Sequence, residues 1–296
     1  MNNNKLQSLQ SEMPSTIPST FPSIDFFGTQ VTRMIIGDNP FNGHVYIPEI
    51  YSKEEALDYY KAETIIKTMF KMEQLGFSAM LPLGDPFILR VIRQYQNEGG
   101  KLNWIFQAYP AISLPVNIRM MNECKPLAIY HQGTTTDGLC EASKTDIIRE
   151  NLKYLKDNGL PVGLGTHVPE TVLRSEYENW GVDFYVTCLH NTRKRGGQES
   201  SFITGKKKHT KFFMEDRAEM FSAIRQVSKP CIAFKIFAGG QIFYGKAPEE
   251  IPALIESTFR EVYSNIKPAD IAAVGVFQKN KDELQEISAA LRKVLH

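Results

Sequence analysis

The chain of 296 residues carries 34 Lys and Arg against 33 Asp and Glu, a formal charge of +1, and 42% of it is hydrophobic. That is a globular composition whose charge balance excludes a generic polyanion binder, so no nucleic-acid partner is expected. Cys124, Cys140, Cys188 and Cys231 show no CxxC spacing, which sets aside zinc-ribbon and thioredoxin frameworks and fits a reducing compartment.

The opening segment, MNNNKLQSLQSE, lacks the basic-then-apolar order of a secretory signal. No window approaches about 18 consecutive apolar residues, so a cytoplasmic protein without a membrane partner is expected. Residues 13–24 read MPST-IPST-FPSI, where Pro14, Pro18 and Pro22 remove backbone donors among Ser and Thr. Residues 1–24 are therefore expected to be a disordered tail, and residues 25–296 one catalytic domain.

From residue 31 a unit recurs: a short aliphatic run, a polar segment, then a helix-period stretch closed by Gly or Asn. The strand candidates are 31–36, 78–83, 103–108, 127–131, 161–166, 183–189, 231–237 and 271–277. Between them, Ser52 and Glu55 form a capping box for a long helix ending near Gly76, a second helix spans 144–158 before Gly159, and a third spans 248–265 before Pro268. The connections 111–124 and 169–180 carry weaker helix signals. These repeated strand–helix units predict a closed parallel (β/α)8 TIM barrel of the α/β class, with a doubly wound open sheet as the alternative.

Barrel active sites lie at the C-terminal strand ends. There the sequence places Asp38, Asn39 and His44 after the first strand, Asp85 after the second, and Gln107 and Tyr109 near the end of the third. His131, His167 and His190 end the next three, which are neighbours, so their imidazoles are candidates for holding a divalent metal, completed by Asp38 or Cys188. The alternative for each is a hydrogen bond at the strand end or a contact to substrate without metal. Lys235 interrupts the apolar run Cys231–Phe237, where burial would lower its pKa and suit it as a base, a Schiff-base nucleophile or an anion anchor. An ion pair with a barrel carboxylate is the alternative. Gly239, Gly240, Lys279 and Asn280 occupy the region where barrels bind phosphate.

A connection over roughly residues 191–213 is rich in base, with Arg193, Lys194, Arg195, Lys206–Lys208 and Lys211 against Glu199 alone, and it opens at Asn191, a candidate substrate contact. It is expected to be a lid or binding loop, and Arg193 and Arg195 to capture an anionic substrate.

Read in order, these segments resemble the aldo-keto reductase superfamily over most of residues 31–295. Leu127-Ala-Ile-Tyr-His131 is similar to that family's strand ending in its active-site histidine, and Val162–Glu170 to the segment that follows its fifth strand. Phe234-Lys-Ile-Phe-Ala-Gly-Gly-Gln-Ile242 resembles its seventh strand, and Ala273–Leu284 its last strand and cofactor-phosphate helix. The resemblance implies NADPH near Phe234, Gly239, Gly240, Lys279 and Asn280. It departs at the chemistry: only Asp85 is present where the family has Asp followed five residues later by Tyr, with Arg90 in the Tyr place. Gln107 replaces the family's Lys, and His167 stands where its nicotinamide-binding Asn would fall.

Losing the Tyr and Lys removes the usual proton donor for carbonyl reduction. The expectation is therefore polar chemistry of lyase, isomerase or hydrolase type on an oxygen-rich anionic small molecule. His131, Asp38 and Lys235 would be catalytic, and a divalent metal would assist. The alternatives are NADPH-dependent reduction, with Tyr46 or Tyr109 supplying the proton, and a non-catalytic sensor or scaffold.

Overall fold

The computed structural model describes residues 21–195 and 210–295. An antiparallel hairpin comes first, β1 (Ser23–Phe26) and β2 (Thr29–Thr32). Eight strands follow: β3 (Met34–Gly37), β4 (Ala79–Leu81), β5 (Asn103–Gln107), β6 (Ala128–His131), β7 (Val162–Thr166), β8 (Phe184–Cys188), β9 (Cys231–Phe234) and β10 (Ile271–Gly275). They are parallel and close in sequence order, with β10 beside β3, so the chain is a (β/α)8 barrel.

Among the described residues its α-helices are α1 (Lys53–Tyr59), α2 (Ala62–Leu75), α3 (Pro86–Asn97), α4 (Leu114–Asn122), α5 (Gly133–Glu141), α6 (Thr145–Lys156), α7 (Pro169–Tyr177), α8 (Arg217–Gln226), α9 (Ile251–Asn265) and α10 (Glu283–Leu295). None of the helices among the described residues is long and apolar enough to cross a membrane.

The strands read as continuous apolar runs because both faces are buried. Ile35, Ala79, Ile105, Ala128, Val186 and Ile232 fill the barrel interior, while Ile36, Met80, Trp104, Phe106, Ile129 and Ala233 face the helices. The hairpin adds Phe26 and Val31 to the interior cluster, with Phe26 edge-on to Phe184 at 5.3 Å between ring centroids. It closes the end of the barrel opposite the C-terminal strand ends.

Four expectations are corrected. Residues 21–24 belong to the folded body: Phe21 is buried 5.0 Å from the Phe77 ring, and β1 starts at Ser23. The run 31–36 is divided at Arg33, whose backbone N–H donates to Pro22 O at 2.9 Å and whose guanidinium holds the carbonyls of Asp270 and Lys267. The capping box at Ser52 and Glu55 forms, but the helix breaks at Tyr60, whose hydroxyl donates to Val276 O at 3.0 Å and whose ring packs on Phe41. The run 231–237 ends as a strand at Phe234, because Lys235 takes a left-handed conformation with φ +58°.

Candidate active site

A cavity of about 620 Å³ opens at the C-terminal ends of the strands. Of the expected site residues, Asp38, Asn39, His44, Gln107, His167, Phe234, Lys235, Gly239, Gly240 and Asn280 line it. His131, Asp85, His190, Asn191, Arg193, Arg195 and Lys279 are not in its wall.

Asp38 follows β3 directly and is only 4% exposed. Its Oδ2 accepts from Leu83 N at 2.8 Å and Asn42 Nδ2 at 2.7 Å. Burial, with a smaller contribution from Asp85, outweighs those bonds and pushes its carboxyl up to about 7. Asn39 donates to the Tyr46 hydroxyl at 3.1 Å. His44 is pushed down to about 4 by burial and by Lys53 and Lys235. Across the mouth, Tyr130 OH donates to Gln107 Oε1 at 3.0 Å. Asp85 instead caps α3, accepting from Phe87 N and Ile88 N, and so has a structural use rather than the expected substrate contact.

The three histidines do not converge. Along β6, Ala128 and Tyr130 face the interior while Ile129 faces the helices. Alternation therefore sends His131 outward, where its Nδ1 meets Thr136 Oγ1 at 2.8 Å and its Nε2 meets Asn151 at 3.2 Å. Burial lowers His131 to about 4. His190 places its ring nitrogens against two backbone carbonyls, Phe213 O at 2.9 Å and Lys235 O at 3.2 Å. Among the described residues, no group of three His, Cys, Asp or Glu is placed to hold a metal ion. The expected metal triad, and His131 as a catalytic group, are corrected on this geometry.

Of these three histidines, His167 is the one that reaches the cavity, which His44 also lines. The His167 Nδ1 lies 2.7 Å from Oδ2 of Asp137, a residue 1% exposed whose Oδ1 accepts from Thr166 Oγ1 at 2.5 Å. That partner fixes the tautomer with the proton on Nδ1 and the lone pair on Nε2. Burial lowers the His167 pKa, and Asp137 opposes the shift.

Asp137 was not among the expected residues, since it sits within α5, not at a strand end. Two glycines bring it there. A Cβ on Gly165 would lie 2.9 Å from both Gly133 N and His131 O, so only glycine lets the start of α5 lie on the end of β7. Gly133 and Gly165 were the available signal in the sequence.

Lys235 follows β9, and its ammonium lies 4.8 Å from the Tyr46 ring centroid, 4.9 Å from Phe212 and 5.6 Å from Phe234. Burial acts to lower its pKa, yet Tyr46, Cys188 and Asp137 outweigh burial and the value is raised. The expected lowered pKa is thus corrected, and the group is a held cation. His190 and Arg217 secure the turn: the imidazole contacts Lys235 O, and Arg217 Nη1 donates to Ile236 O at 2.9 Å.

The described start of the basic connection, residues 191–195, is tied to neighbouring carboxylates. Asn191 Oδ1 accepts from Arg193 N and Lys194 N, and Arg193 Nε donates to Glu141 at 2.6 Å. Arg195 binds Asp216 at 2.9 and 3.0 Å and stacks on Phe213. Both guanidinium groups, expected to capture an anion, bind these carboxylates and stand outside the cavity wall. Lys206–Lys208 lie outside the described residues. Lys279 pairs with Glu55 at 3.3 Å outside the cavity wall, unlike Asn280.

This is an eight-stranded α/β barrel with a hydrogen-bonded His167–Asp137 pair and a buried lysine, Lys235, at the C-terminal mouth of its strands. No protein-family model matches the chain, and no curated protein matches it in sequence. Solved structures match its fold. The apo structure of Gox0644 gives a TM-score of 0.52 at 8% identity, over 94% of this chain and 95% of that one. The Yersinia pestis DHPS with a pterine-sulfa conjugate gives 0.50 at 8% identity, over 92% and 97%. The 2-keto-3-deoxy-6-phospho-gluconate aldolase of Zymomonas mobilis gives 0.41 at 14% identity, over 79% and 85%.

Identities this low establish the barrel alone. The aldo-keto reductase resemblance is corrected: the neighbour at a TM-score of 0.50 whose title carries an activity is a DHPS. Of the residues that carried the resemblance, His131 faces the helices and Lys279 lies outside the cavity, while Phe234, Gly239, Gly240 and Asn280 line it.

Proposed function

We propose that the protein is an enzyme performing general acid–base chemistry, of lyase, isomerase or hydrolase type, on an oxygen-rich anionic small molecule at the barrel mouth. The observation that supports this reading is His167, oriented by buried Asp137, in the same cavity wall as Lys235. Nε2 of His167 takes a proton from carbon beside a carbonyl or carboxylate. Negative charge then moves onto the substrate oxygen, where the Lys235 ammonium stabilises it. The proton returns to a neighbouring carbon in an isomerisation. In an elimination, Asp38, protonated up to about pH 7, donates to the departing hydroxyl.

The test is solvent exchange. Short 2-oxo and 2-hydroxy acids are incubated with the protein in deuterium oxide and followed by proton NMR. Loss of the signal from hydrogen beside the carbonyl or carboxylate, abolished by His167→Asn, is the expected result. No exchange in any acid, with affinities unchanged by Lys235→Met, would overturn the reading.

A further inference from the structure

The cavity is larger than a small polar acid requires, and its chemistry is divided. Its 620 Å³ falls within the range of pockets that enclose drug-sized ligands. Asp38, Gln107, His167 and Lys235 stand at strand ends around the barrel axis, and further charged groups, Lys246, Lys281, Glu283 and Glu286, line the outer side beyond β9 and β10. The remaining wall runs sideways over β9 and β10, between the loops that follow them and helices α9 and α10. There its apolar surface is built from Ile47, Phe243, Ile251, Ile255, Phe277 and Ile287, with the charged groups beside it.

Two features show that this arm is open rather than a packing gap. At its rim, Ile50 and Tyr244 line the cavity while remaining 46% and 55% exposed. Two large apolar side chains in water at the lip of an apolar channel mark a binding surface more than a solvated edge. The backbone also shapes the floor. Gly239 and Gly240 both have positive φ, and a Cβ on either would meet Tyr46 or Ile47 at 2.6 to 2.9 Å. The turn after β9 therefore lies flat against the segment after β3, and a side chain there would intrude between head and arm.

We propose that the substrate is amphiphilic: an anionic oxygen head at Lys235 and His167, joined to an apolar chain that lies in the arm between the loops after β9 and β10. The proposal rests on the functional reading for its head and on the arm's own wall for its tail. A chain leaving water for such a wall gains about fourfold in affinity per methylene.

The test is a binding series by calorimetry on the full chain. Straight-chain carboxylates of about two to ten carbons are compared with the 1-alkanols of the same lengths, which have the tail without the charge. Both series should tighten about fourfold per methylene before levelling off, with each acid tighter than its alcohol. Lys235→Met should remove the acid's advantage and keep the chain-length slope. Ile255→Trp, which fills the arm, should abolish the slope and spare the shortest acids. Ile50→Asp, at a position 46% exposed, should weaken only the longest chains.

Acids and alcohols without chain-length dependence, or no binding by any of them, would overturn the amphiphilic substrate. A slope in both series, with acids no tighter than alcohols and Lys235→Met without effect, would leave the tail in place and overturn the head, and with it the functional reading.

Discussion

Nδ1 of His167 lies 2.7 Å from Oδ2 of Asp137, joining the end of β7 to the middle of α5 through two buried side chains. The pair presents an imidazole of defined tautomer to the cavity, and its neighbours there supply charge in place of a second base.

Asp137→Asn should therefore remove most of the activity without removing the histidine. The exchange rate is expected to fall about 10² to 10⁴-fold, because an amide can hold the imidazole in the wrong tautomer. Asp137 opposes the lowering of the His167 pKa, so its loss should also move the acid limb of the pH profile lower. Exchange rates measured across pH check both outcomes.

Lys235 should not form a Schiff base near neutrality. Its raised pKa keeps the amine protonated, and the nucleophile is the free amine. Borohydride added with a 2-oxo acid should leave the peptide containing Lys235 at its unmodified mass by mass spectrometry. A reduced adduct on that peptide would remove the electrostatic role assigned to it.

Asp38 makes stability fall as pH rises. The folded carboxyl keeps its proton up to about pH 7, whereas an unfolded one releases it near 3.8. The folded state thus binds the extra proton between those values, and the stability associated with it is lost through that window. Asp38→Asn should gain on the native protein by roughly 4 kcal/mol between pH 4 and pH 8. Urea unfolding at the two pH values gives the difference directly, and a constant difference would contradict the burial argument.

Arg195→Gln should lower stability and leave ligand affinity unchanged. Its guanidinium serves Asp216, whose side chain is 1% exposed, and without it that carboxylate keeps only weaker partners. A loss of about 1–3 kcal/mol is expected in urea unfolding. A weakened acid affinity at full stability would restore the basic loop as a capture device.

The barrel was legible because its signal is local and repeated. Aliphatic runs buried on both faces and helix stretches stopped by Gly76 and Gly159 recur along the chain, and few topologies accept that alternation. The site was legible only to the level of strand ends. His131, His167 and His190 read alike in sequence, but a side chain at a strand end faces the cavity or the helices according to the parity of its position. Ala128 and Tyr130, both interior, already carried the parity that turns His131 outward.

Tertiary structure decided the rest. Asp137 meets His167 only because Gly133 and Gly165 let α5 touch β7, a contact between segments about 30 residues apart. Lys235 looked like a strand residue because its neighbours are apolar, yet contacts from His190 and Arg217 to the turn's carbonyls accompany its left-handed conformation. The order of elements thus follows from local hydrophobic periodicity. The direction and charge of each functional side chain follow from packing and hydrogen bonds between residues remote in sequence, which periodicity does not encode.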